Sequence, residues 1–327
     1  MSRVAIVRCE DYDGSRVGES VARLLELLGG AEKFISPGER LLLKPNLLKG
    51  SPPERAVTTH PEVLRAVILR LRASPRGEGI SLSVGDSPAW GIFEDVMRET
   101  GLAAVCEEED AAAVPFERGV RVPNPNGVVY DHFHVAREAL APDGIINLPK
   151  LKTHRQMYMT GAVKNLFGCV AGKRKAWWHF KAGNYQEYFP LMLVETARLI
   201  GPRLSVLDAV DAMEGQGPAA GRPRRMGLLI ASADPVALDR VACEAAGLDP
   251  ARLRTLAAAE TIGWGETNLS RIEIAGLSLD EARLSPPLLP AKMMPVGFSF
   301  SRVVKSTLKQ QWLVRVGKPT RRVSGRR

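Results

Sequence analysis

Hydrophobic and polar positions in the first third of the chain follow two alternating patterns. Near-continuous apolar runs, typical of strands buried in a parallel sheet, occur at residues 4–9, 40–44 and 80–84. Between these runs, apolar residues recur every three or four positions over residues 17–28 and 63–71, as in amphipathic helices. This part of the chain therefore has the strand and helix order that builds βαβ units.

The same alternation returns after an irregular stretch. Residues 106–130 are rich in proline, glycine and short β-like runs, and they predict a small β insertion. Beyond it, the pattern predicts strands at 144–148, 204–207 and 228–231. It predicts helices at 160–167, 191–199, 235–246 and 251–262. We therefore expect an α/β fold with a mostly parallel sheet and helices on both faces.

Two pairs of predicted strand ends resemble each other. Leu41-Leu-Leu-Lys-Pro-Asn46 is similar to Ile145-Ile-Asn-Leu-Pro-Lys150, and Ser83-Val-Gly-Asp86 is similar to Ser205-Val-Leu-Asp208. Such internal echoes suggest a duplicated, two-lobed layout. Convergence is the alternative, because the strands of any parallel sheet share this composition.

Composition is that of a globular protein with a substantial core. Apolar residues make up 45% of the 327 residues, and no stretch approaches the roughly 20 uncharged apolar residues of a membrane-spanning helix. The N-terminal apolar run is too short for a signal peptide, so we expect a cytoplasmic protein. The four cysteines are far apart and lack the C-x-x-C spacing of an iron–sulfur cluster motif.

The net charge of +9 is concentrated at the C-terminal end. Residues 291–327 contain ten lysines and arginines and no acidic residue, whereas residues 1–290 carry 35 basic and 36 acidic side chains. We therefore divide the chain into an α/β domain over 1–290 and a basic tail over 291–327. A nucleic-acid-binding domain usually carries its basic stripe on the folded body, so a nucleic-acid partner is not expected.

The basic tail has the pattern of an amphipathic helix. Apolar residues recur every four positions, and cationic residues occupy other positions of the same helix. The apolar residues are Phe300, Val304, Leu308 and Trp312, and the cationic ones are Arg302, Lys305 and Lys309. Three partners suit such a helix: the protein's own body, a partner protein, or an anionic membrane surface that would make the protein peripheral to a membrane.

Polar residues gather where predicted strands end. They occur in five segments: Lys44-Pro-Asn46, Gly85-Asp-Ser87, Asn147 to His154, Asp208 with Asp211 and Glu214, and Ser232 with Asp234. In an open parallel sheet, ligands bind beyond the carboxyl ends of the strands, where loops converge. Each segment alone also suits a turn or a helix cap. Together, several lysines beside carboxylates at one edge predict a ligand or mutual pairing.

The densest polar segment combines three lysines and a histidine. Asn147-Leu-Pro-Lys150-Leu-Lys152-Thr-His154 is followed by Thr160-Gly-Ala-Val-Lys164-Asn165-Leu-Phe-Gly168, a sequence suited to hold phosphate or carboxylate oxygens. The other motifs are Lys44-Pro-Asn46, Gly85-Asp-Ser87, Lys173 with Lys175 and His179, Met213-Glu-Gly-Gln-Gly-Pro218 and Asp234-Pro-Val-Ala-Leu-Asp239. With these motifs, the chain resembles the domain of unknown function 362 family.

The resemblance extends from about residue 4 to residue 247. It implies no particular activity, because none is assigned to the family. Many members of the family join this domain to a ferredoxin-like module whose closely spaced cysteines bind iron–sulfur clusters. No cysteine follows Cys243 in this chain, so one alternative is a redox accessory protein that works with an iron–sulfur partner.

We interpret the chain as an enzyme that binds an anionic small molecule at the carboxyl edge of the sheet. His154 is the main general acid/base candidate, because its reference pKa lies nearest neutrality, and Lys152 and Asp86 are the other catalytic candidates. The candidates for ligand binding are Lys44, Asn46, Ser87, Asn147, Lys150, Lys164, Asn165 and His179. Asp208 and Glu214 are the candidates for a divalent metal. The other alternative is a nonenzymatic peripheral protein that binds through its basic tail.

The predicted site has two geometric consequences. Lys152 and His154 should project from a loop at the sheet edge, because they follow the predicted strand and Lys150. Asp86 and Asp208 should approach each other across a cleft, because each ends a strand of the same sheet.

Overall fold

Strands and helices alternate along the computed structural model, which describes residues 1–170 and 187–295. The described strands are β1 (Ser2–Arg8), β2 (Arg40–Pro45), β3 (Ser81–Asp86), β4 (Ala112–Pro115), β5 (Gly119–Pro123), β6 (His132–Ala136), β7 (Gly144–Leu148), β8 (Lys150–His154), β9 (Tyr158–Thr160), β10 (Leu204–Glu214), β11 (Arg222–Ser232) and β12 (Ile272–Gly276). The described α-helices are α1 (Gly14–Leu27), α2 (Pro61–Arg72), α3 (Phe93–Glu99), α4 (Leu102–Glu108), α5 (Arg137–Leu140), α6 (Ala162–Asn165), α7 (Tyr188–Ile200), α8 (Pro235–Ala245), α9 (Arg254–Ile262) and α10 (Leu279–Ala282).

Ten of the described strands form one mixed sheet. Its main strand order is β12, β1, β11, β10, β7, β2, β3, β4, and β8 adds to β10 while β9 adds to β8. Neighbouring strands are parallel except that β11 is antiparallel to β1 and β10, and β9 is antiparallel to β8. The predicted mostly parallel sheet is therefore confirmed. The β10–β11 connection, residues 215–221, is too short for the crossover that parallel pairing requires.

Helices cover both faces of the sheet, and each face has its own hydrophobic core. Leu41 and Leu43 of β2 pack in the core beneath α1 to α4, whereas Leu42 between them packs in the core beneath α7, α8 and α9. All three leucines are fully buried. Because successive side chains of a strand point to opposite faces, a strand covered on both sides must be apolar at every position.

The small β unit begins later in the chain than the insertion predicted over residues 106–130. Residues up to Glu108 belong to α4, and β4 is an edge strand of the main sheet, parallel to β3. The separate unit is the antiparallel β5–β6 hairpin. Glu195 of α7, fully buried, anchors its loop by accepting hydrogen bonds from the backbone N–H groups of Val128 and Val129. Short β-like runs alone did not distinguish an edge strand from a hairpin.

Only the first residues of the basic tail are described. Ala291 is buried, and Met293 and Met294 are each 37% exposed. The helix predicted over 300–312 lies outside the described residues, as does His179. Within the described ranges, no helix has both the length and the apolar character needed to cross a membrane.

Candidate functional site

Three lysines are buried at the carboxyl edge of the sheet. Lys44 is the penultimate residue of β2, and Lys150 and Lys152 lie in β8 beside β10. Their exposed fractions are 0%, 1% and 1%. A buried ammonium group is destabilising unless another group compensates its charge. The partners of each amine therefore determine what this edge of the sheet can do.

Lys44 forms a buried ion pair with Asp86, the last residue of β3. Nζ of Lys44 lies 2.8 Å from Oδ2 of Asp86, and the two side chains are 0% and 3% exposed. The backbone N–H groups of Leu47 and Ser87 donate to the same carboxylate at 2.9 and 2.7 Å. The protein itself thus compensates the charge of Lys44, and Ser87 contributes its backbone to this arrangement.

Lys150 forms a second buried ion pair, with Asp208 of β10. Nζ of Lys150 lies 2.9 Å from Oδ2 of Asp208. The hydroxyl of Tyr12 accepts from Lys150 at 2.6 Å and donates to Oδ1 of Asp208 at 2.8 Å. The ring of His60 stacks on the ring of Tyr12 with centroids 3.5 Å apart. The backbone N–H of His60 donates to Asp208 at 3.0 Å. Burial lowers the pKa of His60 to about 4, so its ring is neutral near pH 7.

Tyr12 and His60 were absent from the predicted site. Tyr12 follows β1 by four residues, and His60 is the N-cap of α2, where its Nδ1 accepts from the backbone of Glu62 at 3.2 Å. An aromatic or capping residue before a helix indicates a helix start and no particular chemistry. Both residues could have been found from their positions in the chain. Tyr12 follows β1 and His60 follows β2, and these strands end at the same edge of the sheet as Lys150.

Lys152 has no carboxylate within ion-pairing distance among the residues that the structure describes. Its Nζ donates to Oδ1 of Asn46 at 2.7 Å and to the backbone oxygen of Val57 at 2.8 Å. Burial holds the pKa of Lys152 well below its ordinary value, and the charges of Lys164 and Lys150 lower it further. The amine of Lys152 therefore gives up its proton far more readily than that of an exposed lysine.

Three asparagines connect Lys152 with the Lys44–Asp86 pair. Nδ2 of Asn46 donates to Oδ1 of Asn165 at 2.9 Å. Nδ2 of Asn165 in turn donates to the backbone oxygen of Lys44 at 3.2 Å and to Oδ1 of Asn147 at 2.9 Å. The structure thus joins six predicted site residues, which are distant in sequence, in one network of hydrogen bonds and an ion pair.

His154 and Lys152 do not project from a loop, and that expectation is wrong. His154 ends strand β8, is 6% exposed and pairs with Tyr158 in the β8–β9 ladder. Its Nδ1 accepts from the backbone N–H groups of Gln156 and Met157 at 3.0 and 3.1 Å, so Nδ1 carries no proton. The reason for the error is that the chain continues as a new strand after Pro149 and pairs with β10 instead of leaving the sheet.

Asp86 and Asp208 lie at the same edge of the sheet but belong to separate ion pairs. Strands β2 and β7 stand between β3 and β10, and three strand spacings correspond to roughly 14 Å. Their predicted approach across a cleft is therefore wrong. Each carboxylate is instead held by a lysine of a neighbouring strand.

The carboxylates predicted to hold a metal already accept bonds from protein donors. Glu214 accepts from Nε of Arg222 at 2.9 Å and from the backbone N–H of Leu289 at 3.0 Å. Asp208 is paired with Lys150. Residues 1–170 and 187–295 contain no group of three or more histidine, cysteine, aspartate or glutamate side chains placed to hold a metal ion. The donor set of the described site, rich in lysine amines, does not fit a divalent cation.

The short helix α6 carries Lys164 and Asn165 to the site and is capped from α8. The carboxylate of Asp239 accepts from the backbone N–H groups of Ala162 and Val163 at 2.5 and 3.1 Å. Burial raises the pKa of Asp239 to about 7, although both hydrogen bonds act in the opposite direction. Asp239 therefore positions α6, and with it two of the predicted ligand-binding residues, against the body of the fold.

Asp239→Asn should remove a pH-dependent loss of stability. Because the pKa of Asp239 is about 7 in the folded state and near 3.8 in the unfolded chain, its contribution to the free energy of unfolding is fully present below about pH 4 and is lost as pH rises to about 7. The amide does not titrate, so the variant should gain up to about 4 kcal/mol relative to the natural protein between pH 4 and pH 7.5. Urea unfolding at both pH values measures this difference, and parallel changes in both proteins would contradict it.

Comparison with known proteins identifies the family of the chain. Residues 41–244 match the family described as domain of unknown function (DUF362), and the chain belongs to that family. The resemblance predicted from the separated motifs is thus confirmed. A thylakoid-associated protein of Synechocystis sp. is 40% identical over 323 residues, which cover 99% of this chain and 98% of that protein.

Two solved structures align with parts of the fold. The lactate racemase apoprotein from Thermoanaerobacterium thermosaccharolyticum aligns with a TM-score of 0.49 and 10% identity over 75% of this chain. A structural-genomics protein from Thermotoga maritima aligns with a TM-score of 0.39 and 12% identity over 69% of this chain. The alignment covers 57% of the length of each of these two proteins.

Proposed function

We propose that the chain is an enzyme whose substrate is an anionic small molecule bound beside Lys152. The observation that carries the proposal is the contrast among three equally buried lysines. Lys44 and Lys150 each have a carboxylate partner, whereas in the described ranges Lys152 contacts only two neutral oxygens. Because the described residues place no carboxylate beside this amine, an anionic ligand can bind there without displacing a negatively charged side chain.

The surroundings of Lys152 favour an anion. The two lysine–aspartate pairs are each close to neutral as units, and the charge of Lys164 lies near enough to lower the pKa of Lys152. Attraction between an anion and these amines is stronger in the protein interior than in water, because the local dielectric constant is lower. Phosphate and carboxylate groups are the anions that lysine commonly binds.

Of the two hydrogen-bond partners of Lys152, Asn46 is the more exposed. Its side chain is only half-buried, yet its Oδ1 accepts directly from Lys152. An oxyanion that replaces this amide oxygen keeps the hydrogen bond of Lys152, while Nδ2 of Asn46 stays available to donate. Asn46 and Asn165 are therefore the residues we propose to orient the ligand.

The proposed roles differ among the buried polar residues. A lysine with a lowered pKa is suited to exchange a proton or to attack an electrophile near neutral pH, so Lys152 carries the chemistry. Asp86 fixes the position of Lys44, and Asp208 fixes the position of Lys150. These two ion pairs stabilise the loops and strand ends at the carboxyl edge of the sheet. His154 closes the turn between β8 and β9 through its Nδ1 atom.

A thermal-shift screen of anionic small molecules tests this function. Phosphate esters, dicarboxylates and 2-oxo acids are added to the natural protein and to Lys152→Met, with Lys33→Met as a matched exposed control. A ligand at 100 times its Kd stabilises the folded state by about 2.7 kcal/mol. At least one anion should therefore raise the melting temperature of the natural protein and of the control but not of Lys152→Met. Equal shifts in all three proteins would contradict a site at Lys152.

Peripheral association with an anionic membrane is a second candidate function. Two observations favour it: the basic tail has no acidic residue between 291 and 327, and the relative that shares 40% identity is described as thylakoid-associated. Leu289, Met293 and Met294 are exposed by 55%, 37% and 37% where the body leads into the tail. Cationic residues and exposed apolar side chains together bind anionic lipid surfaces.

Removal of residues 296–327 tests this candidate without disturbing the described contacts of residues 284–295. The shortened protein should lose salt-sensitive sedimentation with vesicles that contain phosphatidylglycerol, while its melting temperature and anion response stay unchanged. Vesicles of phosphatidylcholine alone are the control. Unchanged sedimentation would contradict membrane binding through the tail.

A further inference from the structure

Lys152 is buried without a carboxylate partner among the described residues, and its two hydrogen bonds are ones that a neutral amine can make. A neutral amine has two N–H donors and one lone pair, and Nζ of Lys152 makes two donated hydrogen bonds, to Asn46 and to Val57. The described residues place no third acceptor at this nitrogen. Lys44, by contrast, has three acceptors: the Asp86 carboxylate at 2.8 Å, the backbone oxygen of Pro45 at 2.8 Å and Oδ1 of Asn165 at 3.5 Å.

Charges on the surrounding elements also favour the neutral form of the Lys152 amine. The amines of Lys164 on α6, Lys150 on β8 and Lys44 on β2 all disfavour a further positive charge at Lys152. Asp86 on β3 acts in the opposite direction, but its carboxylate is already bound to Lys44. A desolvated lysine beside other cationic groups is the usual form of a lysine that attacks carbonyl carbon.

We propose that the substrate is an anionic carbonyl compound, an aldehyde or ketone that bears a carboxylate or phosphate, and that Lys152 forms an imine with it. This inference rests on the proposed function and deepens it. The lone pair of Nζ forms a bond to the carbonyl carbon, and the carbonyl π electrons move to oxygen. The two N–H protons end on that oxygen, which leaves as water when the C=N bond forms. No oxidant or reductant takes part.

The arrangement around Nζ suits this step. The backbone oxygen of Val57, together with Asn46 or the anionic group that replaces it, holds the amine through its N–H groups, so the lone pair is directed away from both acceptors. The positive charges that keep the amine neutral also attract the anionic group of the substrate. One set of neighbouring lysines thus selects the substrate and activates the nucleophile.

Reductive trapping with glyoxylate, an anionic aldehyde, tests the inference. The full chain is incubated with glyoxylate and cyanoborohydride, which delivers hydride to the imine carbon, and peptide mass mapping locates the resulting carboxymethyl groups. Lys33, an exposed lysine, is the internal reference. Lys152 should be labelled at least about tenfold faster than Lys33 at pH 7, because a larger fraction of its amine is unprotonated.

The pH dependence separates an activated lysine from an accidental one. Labelling of Lys33 should rise about tenfold per pH unit between pH 6 and pH 8, whereas labelling of Lys152 should change much less. Labelling of Lys152 no faster than Lys33, or with the same slope, overturns the inference. If Lys152 is not labelled while anions still stabilise the natural protein and not Lys152→Met, the imine fails and the anion site stands. If Lys152 is not labelled and no anion stabilises the natural protein more than Lys152→Met, the proposed function is overturned as well.

Discussion

Replacement of Asp208 by asparagine should lower the free energy of unfolding by about 3–5 kcal/mol, because it leaves the ammonium group of Lys150 buried without a counter-charge. The two side chains are 1% and 0% exposed, so water cannot take the place of the carboxylate. The new amide keeps one acceptor oxygen and places N–H donors at the other position, opposite the donor of either Tyr12 or His60. Urea unfolding measures the loss.

Two further variants make this prediction specific. Arg222→Ala removes an ion pair with Glu214 whose arginine side chain is 74% exposed, and it should lower stability by at most about 1 kcal/mol. Lys150→Met combined with Asp208→Asn should be less destabilising than the sum of the single changes, because no unpaired charge remains. A loss in Asp208→Asn no larger than that in Arg222→Ala would show that the buried pair is not charged.

Gly168→Ala should destabilise the fold by about 3 kcal/mol or more and remove the anion response. A Cβ atom at this position would lie 2.2 Å from Oδ1 of Asp86 and 2.5 Å from Nζ of Lys44. The new methyl group must therefore separate the ion pair or displace the chain after α6, and either change is unfavourable in a packed interior. Urea unfolding and the thermal-shift screen measure the two effects.

Gly18→Ala is the matched control for this substitution. Gly18 lies inside α1, and a Cβ there would meet nothing within 4 Å. Alanine should leave stability unchanged or raise it by up to about 1 kcal/mol, because alanine favours helix more than glycine does. Similar losses in both variants would mean that the effect at Gly168 does not come from the buried ion pair.

The sheet was predictable from sequence because strand patterns are local. The apolar run of β2 and the helical spacing in α1 and α2 reflect burial of each element, and burial is visible in composition alone. The antiparallel course of β11 was not predictable in this way. It depends on the short connection after Glu214. The apolar runs of β10 and β11 do not themselves indicate whether the two strands are parallel or antiparallel.

The candidate site was predictable in residue identity but not in pairing. Lysine and asparagine after strands indicated one polar edge, and Lys44, Asn46, Asn147, Lys152 and Asn165 do meet there. The missing information was which carboxylate faces which lysine. That depends on strand order, which places β2 beside β3 and β8 beside β10.

The hydrogen-bond partners of Lys152 were likewise not predictable from the sequence. A strand position in the sequence carries no information on whether a neighbouring strand supplies a carboxylate, so nothing distinguished Lys152 from Lys150 two residues earlier. Tyr12 and His60 were missed for a related reason, because their contacts with Asp208 arise only when α1 and α2 pack on one face of the sheet.

A crystal structure of the natural protein with the anion that raises its melting temperature most is the most direct test of the anion site. We predict the anionic group of the ligand within about 3.2 Å of Nζ of Lys152, beside Asn46, with the Lys44–Asp86 and Lys150–Asp208 pairs intact. An anion bound away from Lys152, with that amine still enclosed by Asn46 and Val57 alone, would contradict it.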